Sequence, residues 1–380
     1  MKKGTILYVG NFVLPDKGAS ANRVVSNGKI FTKLGYTVAY LGITKAERFQ
    51  GIRPLDKERH MYEEAYPQGS KEWFLHMWST KNIEAIKERY PDLCMVILYN
   101  APFLLLQRVK RLYKNSGIKV VYDCTEWTGV TEGSLPKRIV KWMDEYFIRN
   151  KIHRAADGLI VISKRMEEQY AACKKMILLP PLIDLDDSIW HQKIEKEDER
   201  FEFCFAGILD GNKDRLDSIV NAFEKAKKEK SFLRIIGVTE EEFCAYYPQL
   251  KECLQSLKDH VLFMGTLSHR DTIRYVLSCD SYIFIRQSDR RNNAGFPTKF
   301  VESYSCGCDI ITTNISDLKD YIQDETKGQM LNSTSAEEVK DAMLKAMQKN
   351  DRQKEKKLND TFHYENYVEK VGKWMELMSN

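Results

Sequence analysis

Short apolar runs alternate with longer amphipathic ones over almost the whole chain, and this alternation limits the fold more than any other feature of the sequence. Runs at residues 6–9, 37–41, 95–99, 120–122 and 158–162 are too short for helices and rich in β-branched and aromatic residues, so they predict buried strands. Helical spacing appears between them, at 21–34 and 137–152. Strand followed by helix, repeated, predicts an α/β fold with a parallel sheet covered on both faces. The pattern breaks at Pro180 and Pro181, which forbid helix, and at the charge run 193–200, which reads as a hinge region. It restarts with runs at 203–206, 232–236, 261–264, 281–285 and 309–312, so a second doubly wound domain follows. A length of 380 residues agrees, being more than one hydrophobic core usually serves. The expected division is 1–187 and 188–361. After a charged stretch at 349–357, Phe362, Tyr367, Val371, Trp374 and Met375 keep a helical rhythm, so the chain closes on an amphipathic helix with a stripe to cover.

Composition and motifs remove several classes of function. Hydrophobic residues at 43% and charged residues at 30% exclude disorder, and a net charge of +5 is too weak to argue for nucleic acid. The nine cysteines are scattered with no Cys-x-x-Cys, which predicts a reducing, cytoplasmic compartment; Cys306 and Cys308, without a second pair or nearby histidines, make a poor zinc site. The apolar run at 5–9 is interrupted by Asn11 and Asp16 and reads as a first strand, not a signal peptide, and no uncharged stretch is long enough to span a membrane. Neither Gly-x-x-x-x-Gly-Lys-Ser/Thr nor Gly-x-Gly-x-x-Gly follows the first strand, which lowers P-loop and standard dinucleotide readings. The seven histidines sit apart from any nucleophile motif, so hydrolases lose ground too.

The most informative stretch runs from Arg286 to Thr313. It leaves a strand near Ile285, crosses a polar loop and enters a helix at Pro297, a residue suited to the first helical position. The start of that helix offers N–H groups and the positive end of a dipole, which suit a diphosphate. Lys299, in the first turn, opposes the dipole; it either serves an anion or points to solvent. Glu302, three residues on, either pairs with Lys299 within the helix or accepts hydrogen bonds from two ribose hydroxyls.

This stretch resembles the donor-binding motif of glycosyltransferase family 4, in its variant Gly-Phe-Pro-Thr-Lys-x-x-Glu, carried here by Gly295, Phe296, Pro297, Thr298, Lys299 and Glu302. Residues 156–163 are similar to the strand closing that family's first domain, and 179–184 to the crossing that follows. Gly207 with Lys213 resembles its Gly-Arg-Leu...Lys-Gly segment, and 261–267, with Gly265 and Leu267, its base-binding strand and loop. The resemblance implies a GT-B architecture, two Rossmann-like domains facing across a cleft, with an acceptor-side first domain on which the terminal helix 362–380 packs back. It implies a retaining hexosyltransferase that moves a sugar from a nucleoside-diphosphate sugar, a UDP-sugar favoured, to a saccharide or lipid-linked saccharide, in cell-surface polysaccharide or glycoconjugate synthesis. Gly207, Lys213, Gly265, Leu267, Arg286 and the motif residues would hold the donor. No cofactor and no metal are implied, because Lys213, Lys299 and the helix end at Thr298 would neutralise the leaving diphosphate.

Departures from the family are specific. A glutamate expected eight residues before Glu302 is Ala294, and an arginine expected beside Gly207 is Ile208; Arg286 or Arg291 could supply the missing charge. A histidine often found after a central strand is not evident. The loop Asp123-Cys124-Thr125-Glu126-Trp127 offers Glu126, either to orient an acceptor hydroxyl as a third catalytic residue or as an ordinary cap or ion-pair partner. Gly18 and Ala19, ahead of a helix expected near Asn22, would let a phosphate or the acceptor approach the backbone. Asp184 and Asp186 form an Asp-x-Asp, read as a polar linker turn. A nucleotide-sugar epimerase of the same architecture and a non-catalytic binding subunit stay open as alternatives.

A lipid-linked acceptor would bring the first domain to the inner membrane face. The segment 137–154 places Ile139, Trp142, Met143, Tyr146 and Phe147 among Lys137, Arg138, Lys141, Arg149, Lys151 and Arg154, a mixture suited to an anionic interface. The favoured reading is plainer: a sheet-covering helix needs the same stripe, and Asp144 and Glu145 interrupt the basic face.

Overall fold

The computed structural model describes residues 3–14, 18–44, 53–54, 59–65, 69–76, 78–127, 135–192, 200–209, 213–324, 326–349 and 356–379. The charge run at 193–200 lies, apart from Arg200, outside the described residues, as does most of 349–357. The chain divides into a first unit, residues 1–183, 294–296 and 363–380, and a second, residues 184–293 and 297–362.

The first unit is built on an eight-stranded sheet of β1 (Thr5–Gly10), β2 (Thr37–Thr44), β3 (Arg53–Pro54), β4 (Arg59–Ala65), β5 (Leu93–Tyr99), β6 (Lys119–Cys124), β7 (Gly158–Val161) and β8 (Met176–Leu178) in the order β3-β4-β2-β1-β5-β6-β7-β8. Every neighbouring pair is parallel except β3 with β4. The order reverses between β1 and β5, so right-handed crossovers put helices on both faces. Central strands buried on both sides read as continuous apolar runs, which is why β1, β5 and β6 were plain in the sequence.

The helix Ala19–Lys33 begins three residues before the expected Asn22, because Gly18, at φ 92, turns the chain directly into it. Its Gly28 is required by close approach, since a Cβ there would lie 1.7 Å from the Tyr40 hydroxyl. The terminal helix Val368–Ser379 buries Val371, Trp374, Met375 and Met378 in the same core as Tyr8, Phe31 and Ile97, and the Trp374 indole donates to the Lys175 carbonyl at 3.2 Å. Beneath the sheet's carboxyl ends lies a buried ion pair. Arg23 donates to Asp123 at 2.8 Å and to the carbonyls of Leu179 and Pro180 at 3.0 and 3.3 Å. Tyr8 also donates to Asp123, and Asn27 donates to Tyr8 at 3.1 Å.

The second unit carries β9 (Phe201–Ala206), β10 (Ser231–Ile236), β11 (Val261–Phe263), β12 (Ser281–Phe284), β13 (Asp309–Thr313) and β14 (Gly328–Leu331). All are parallel, in the order β11-β10-β9-β12-β13-β14, with the switch between β9 and β12. The helix Leu216–Ala226 lays Leu216, Ile219, Val220 and Phe223 on this sheet at helical spacing. The two doubly wound sheets are therefore as the alternation predicts. The sequence reading omitted β3, β4, β8 and β14, which lie at or beside sheet edges where one side needs no apolar cover. Asp184 and Asp186 form a turn in which the Asp186 N–H donates to the Asp184 carboxylate at 3.1 Å. Among the described residues no helix is long and apolar enough to cross a membrane.

Candidate functional site

In the second unit β9 and β10 continue directly into a glycine, Gly207 and Gly237, and β11 reaches Gly265 after Met264. Gly207 donates to the Ile236 carbonyl at 2.9 Å and Gly237 to the Gly265 carbonyl at 2.7 Å, which ties the three ends together. Gly237 has φ 93, and a Cβ on it would stand 2.4 Å from the Gly207 carbonyl oxygen, so no other residue fits. Gly207, at the end of β9, borders the switch between β9 and β12, where doubly wound sheets place ligands. Gly237 was missed in the sequence because it lies outside any motif.

The helix Thr298–Ser305 faces this shelf. Pro297 is its cap and not, as expected, its first helical residue: with ψ 116 it is still extended, and the first amides bonded within the helix, those of Phe300 and Val301, both donate to its carbonyl. Lys299 does not point to solvent. Its ammonium is 2.7 Å from one oxygen of Asp214 and 4.7 Å from the centre of the Phe205 ring. Arg286 donates to the other Asp214 oxygen at 2.6 Å, and all three side chains are nearly buried, at 13%, 8% and 10% exposure for Lys299, Asp214 and Arg286. Burial is the largest influence on Lys299 and lowers its pKa; Asp214 opposes this, while the Arg286 and Lys213 charges reinforce it. Burial alone would raise the Asp214 carboxyl, but the Lys299 and Arg286 charges and hydrogen bonds outweigh it and hold the group well below the usual carboxylate range.

Glu302 forms no pair with Lys299 either. It meets His269, whose Nε2 lies 3.0 Å from its carboxylate, at the start of the helix His269–Ser278 that follows Gly265 and Leu267. Asp214 and His269 are both residues that sequence reasoning overlooked. Ile208, where the family arginine would fall, is 67% exposed; Arg286 is the arginine that joins Lys299, while Arg291 is exposed. Gly295 and Phe296 group with the first unit, as does Ala294, which is fully buried and accepts a hydrogen bond from Ser163 at 2.6 Å.

Gly18, Ala19 and Glu126 belong to the first unit. The space over Gly18 is open, with no atom within 4 Å of where a Cβ would stand. Glu126 is half-buried beyond β6, close enough to Tyr99 for its charge to raise that hydroxyl's pKa, although burial is the larger cause. Its neighbour Thr125 is pinned by Asn100, which donates to its hydroxyl at 2.6 Å and accepts from its N–H at 2.9 Å. A pocket at the β1–β5 switch is lined by Asn11, Asn100 and Tyr99, and by His76, whose Nε2 is 3.4 Å from Asn11. His76 was not singled out in the sequence because no motif surrounds it.

Residues 186–361 match the family model of glycosyl transferases group 1. The match takes in nearly the whole of the second unit, which is thus similar to a group 1 glycosyltransferase domain. A curated relative, an uncharacterised glycosyltransferase of Methanocaldococcus jannaschii, is 23% identical, and the match covers 60% of this chain and 60% of that relative's length. Among solved structures, sucrose-phosphate synthase from Thermosynechococcus elongatus superposes with a TM-score of 0.72 at 15% identity, covering 99% of each chain. Anabaena HepE in complex with UDP gives 0.67 at 12% identity, covering 99% of this chain and 100% of that one. At such identities the likeness establishes the fold, GT-B, over essentially the whole chain.

In the second unit, Gly207 bears directly on the cation cluster. A Cβ at this position would stand 2.5 Å from the Lys299 ammonium, and because that atom ends a flexible side chain, the lysine would yield before the backbone does. Gly207→Ala is therefore expected to leave the melting temperature within a few degrees of the parent while weakening UDP binding at least about tenfold, through loss of one charge-assisted contact. Calorimetry beside thermal unfolding checks both halves.

Proposed function

We propose that the chain is a retaining glycosyltransferase that moves a sugar from a UDP-sugar to a saccharide or lipid-linked saccharide in cell-surface glycoconjugate synthesis, in the cytoplasm at the inner face of the membrane. The observation that carries this reading is the buried Lys299–Asp214–Arg286 cluster beside Lys213, at the start of a helix and at the carboxyl ends of the sheet. Lys299 and Arg286 share the single Asp214 carboxylate, which leaves positive charge in excess where an anionic diphosphate would lie. A nucleoside diphosphate departing from the sugar would thus be stabilised by fixed protein charge, without a divalent ion or other cofactor. The UDP and UDP-glucose complexes of the Anabaena protein favour uridine as the base.

In the retaining reaction proposed, attack and departure share one face of the sugar. The bond from the anomeric carbon to the leaving phosphate breaks, the bond to the acceptor oxygen forms on the same face, and the acceptor proton passes to the departing phosphate oxygen. The protein then needs groups that position, such as Glu126 on the acceptor, Gly265 and Leu267 about the base, and Gly295 and Phe296 in the loop leading to the helix. Glu302 would hold the ribose, with His269 fixing its orientation.

Release of UDP from a panel of UDP-sugars, with acceptor saccharides present and product stereochemistry read by NMR, tests the proposal. Activity is expected to persist in EDTA, and Glu302→Ala is expected to lower UDP affinity about tenfold or more, as loss of charge-assisted hydrogen bonds implies. Loss of activity in chelator restored by magnesium or manganese would overturn the metal-free assignment. Unchanged binding by Glu302→Ala would overturn the ribose contact.

A further inference from the structure

The helix Leu135–Ala155 does not use its main apolar stripe for packing. Leu135, Ile139, Trp142, Met143 and Tyr146 recur at the spacing that puts them on one face, and they are 68%, 50%, 60%, 46% and 49% exposed. The sheet-covering role favoured from the sequence is therefore wrong for this face. Another side of the helix turns inward: Ile152 is buried, and Phe147 stacks on Phe103 with ring centres 5.2 Å apart. Trp142 and Tyr146 instead stack on each other at 6.1 Å, still outside the core.

The two acids that argued against a basic surface are also turned inward. Asp144 accepts the Phe103 N–H at 2.7 Å at the start of the helix Phe103–Leu112, and burial raises its pKa to about 6 despite that hydrogen bond. Glu145 is buried. What the helix presents to solvent is thus an apolar band with Arg138, Lys141, Lys151 and Arg154 exposed around it.

We infer that this face docks on a bilayer containing anionic lipid. The aromatic and aliphatic side chains would enter the interfacial region while the cations meet headgroup phosphates. A second copy of the chain is a poor occupant, because a two-fold pairing of this face would set its exposed cations against the same set of cations with no exposed acid on the helix to balance them. This deepens the proposed membrane location and is independent of the transfer chemistry, so UDP binding by the same preparations separates failure of one from failure of the other.

Flotation of the full chain with vesicles of phosphatidylcholine alone, or mixed with phosphatidylglycerol, tests it. Recovery is expected with the anionic vesicles only and should fall as salt is raised. Trp142→Ala with Ile139→Ser should weaken binding about tenfold or more, and Arg138→Glu with Lys141→Glu should abolish it, while UDP affinity and the unfolding curve stay as in the parent. Equal recovery with both vesicle types, recovery with neither, or a concentration-dependent dimer dissolved by the Trp142 and Ile139 changes would overturn the inference. So would capture by an acidic protein without any binding to vesicles.

Discussion

Lys299→Ala is expected to weaken UDP binding by roughly thirtyfold to several thousandfold, the effect of about 2–5 kcal/mol found when one member of a buried, hydrogen-bonded charge set is truncated. The ammonium stands among the Phe205 ring, Gly207 and the Asp214 carboxylate, and Arg286 is already held by the other oxygen of that carboxylate. Arginine should not restore full binding, because a planar guanidinium does not match the compact ammonium seated between the Phe205 ring and Asp214. The pH dependence follows from the same burial. Desolvation lowers the Lys299 pKa below the ordinary lysine value, with Asp214 opposing, so UDP affinity should decline with rising pH before an exposed lysine would lose its proton. Asp214 runs the other way: its folded pKa lies below the unfolded one, so its contribution to stability is complete above the unfolded value and is lost only as pH falls toward the folded one. Titration calorimetry across that range decides, and parental affinity in Lys299→Ala with folding intact would remove the lysine from the donor site.

What could be read from the sequence, and what could not, divides by physical cause. The central strands were legible because burial on both faces leaves an unbroken apolar run, whereas β4 reads Arg-His-Met-Tyr-Glu-Glu-Ala and has only a two-residue edge strand beyond it. Lys299 was legible as a cation in conflict with its helix dipole, but its partner Asp214 is 85 residues away and carries no local signal. His269 is likewise 33 residues from Glu302. In the helix Leu135–Ala155 periodicity identified the stripe correctly, yet periodicity says which residues share a face, not which face is covered. Only the inward placement of Asp144 and Glu145 decides the sign of the surface.

Asp123→Ala is expected to destabilise the first unit by about 3–5 kcal/mol, the usual consequence of leaving one charge of a buried pair without its partner. Asp123 is fully buried and Arg23 is 2% exposed, so water cannot replace the lost carboxylate. The guanidinium would keep only the carbonyls of Leu179 and Pro180, and Tyr8 would lose its acceptor; burial first, and then Asp123, raise the Tyr8 pKa, so the hydroxyl stays a donor needing one. The pair also bears on the candidate acceptor side. Asp123 accepts the Asn100 N–H through its main chain at 2.9 Å, and Asn100 holds Thr125, the residue before Glu126. Replacing both charges at once, Arg23→Met with Asp123→Leu, should recover most of the loss, because the penalty lies in the unpaired charge more than in the pair itself. Denaturant unfolding of the intact chain, with hydrogen exchange followed in β1 and β6, measures both variants. A loss under about 1 kcal/mol in Asp123→Ala, or a double variant less stable than the single one, would show that the network is not held together by this ion pair.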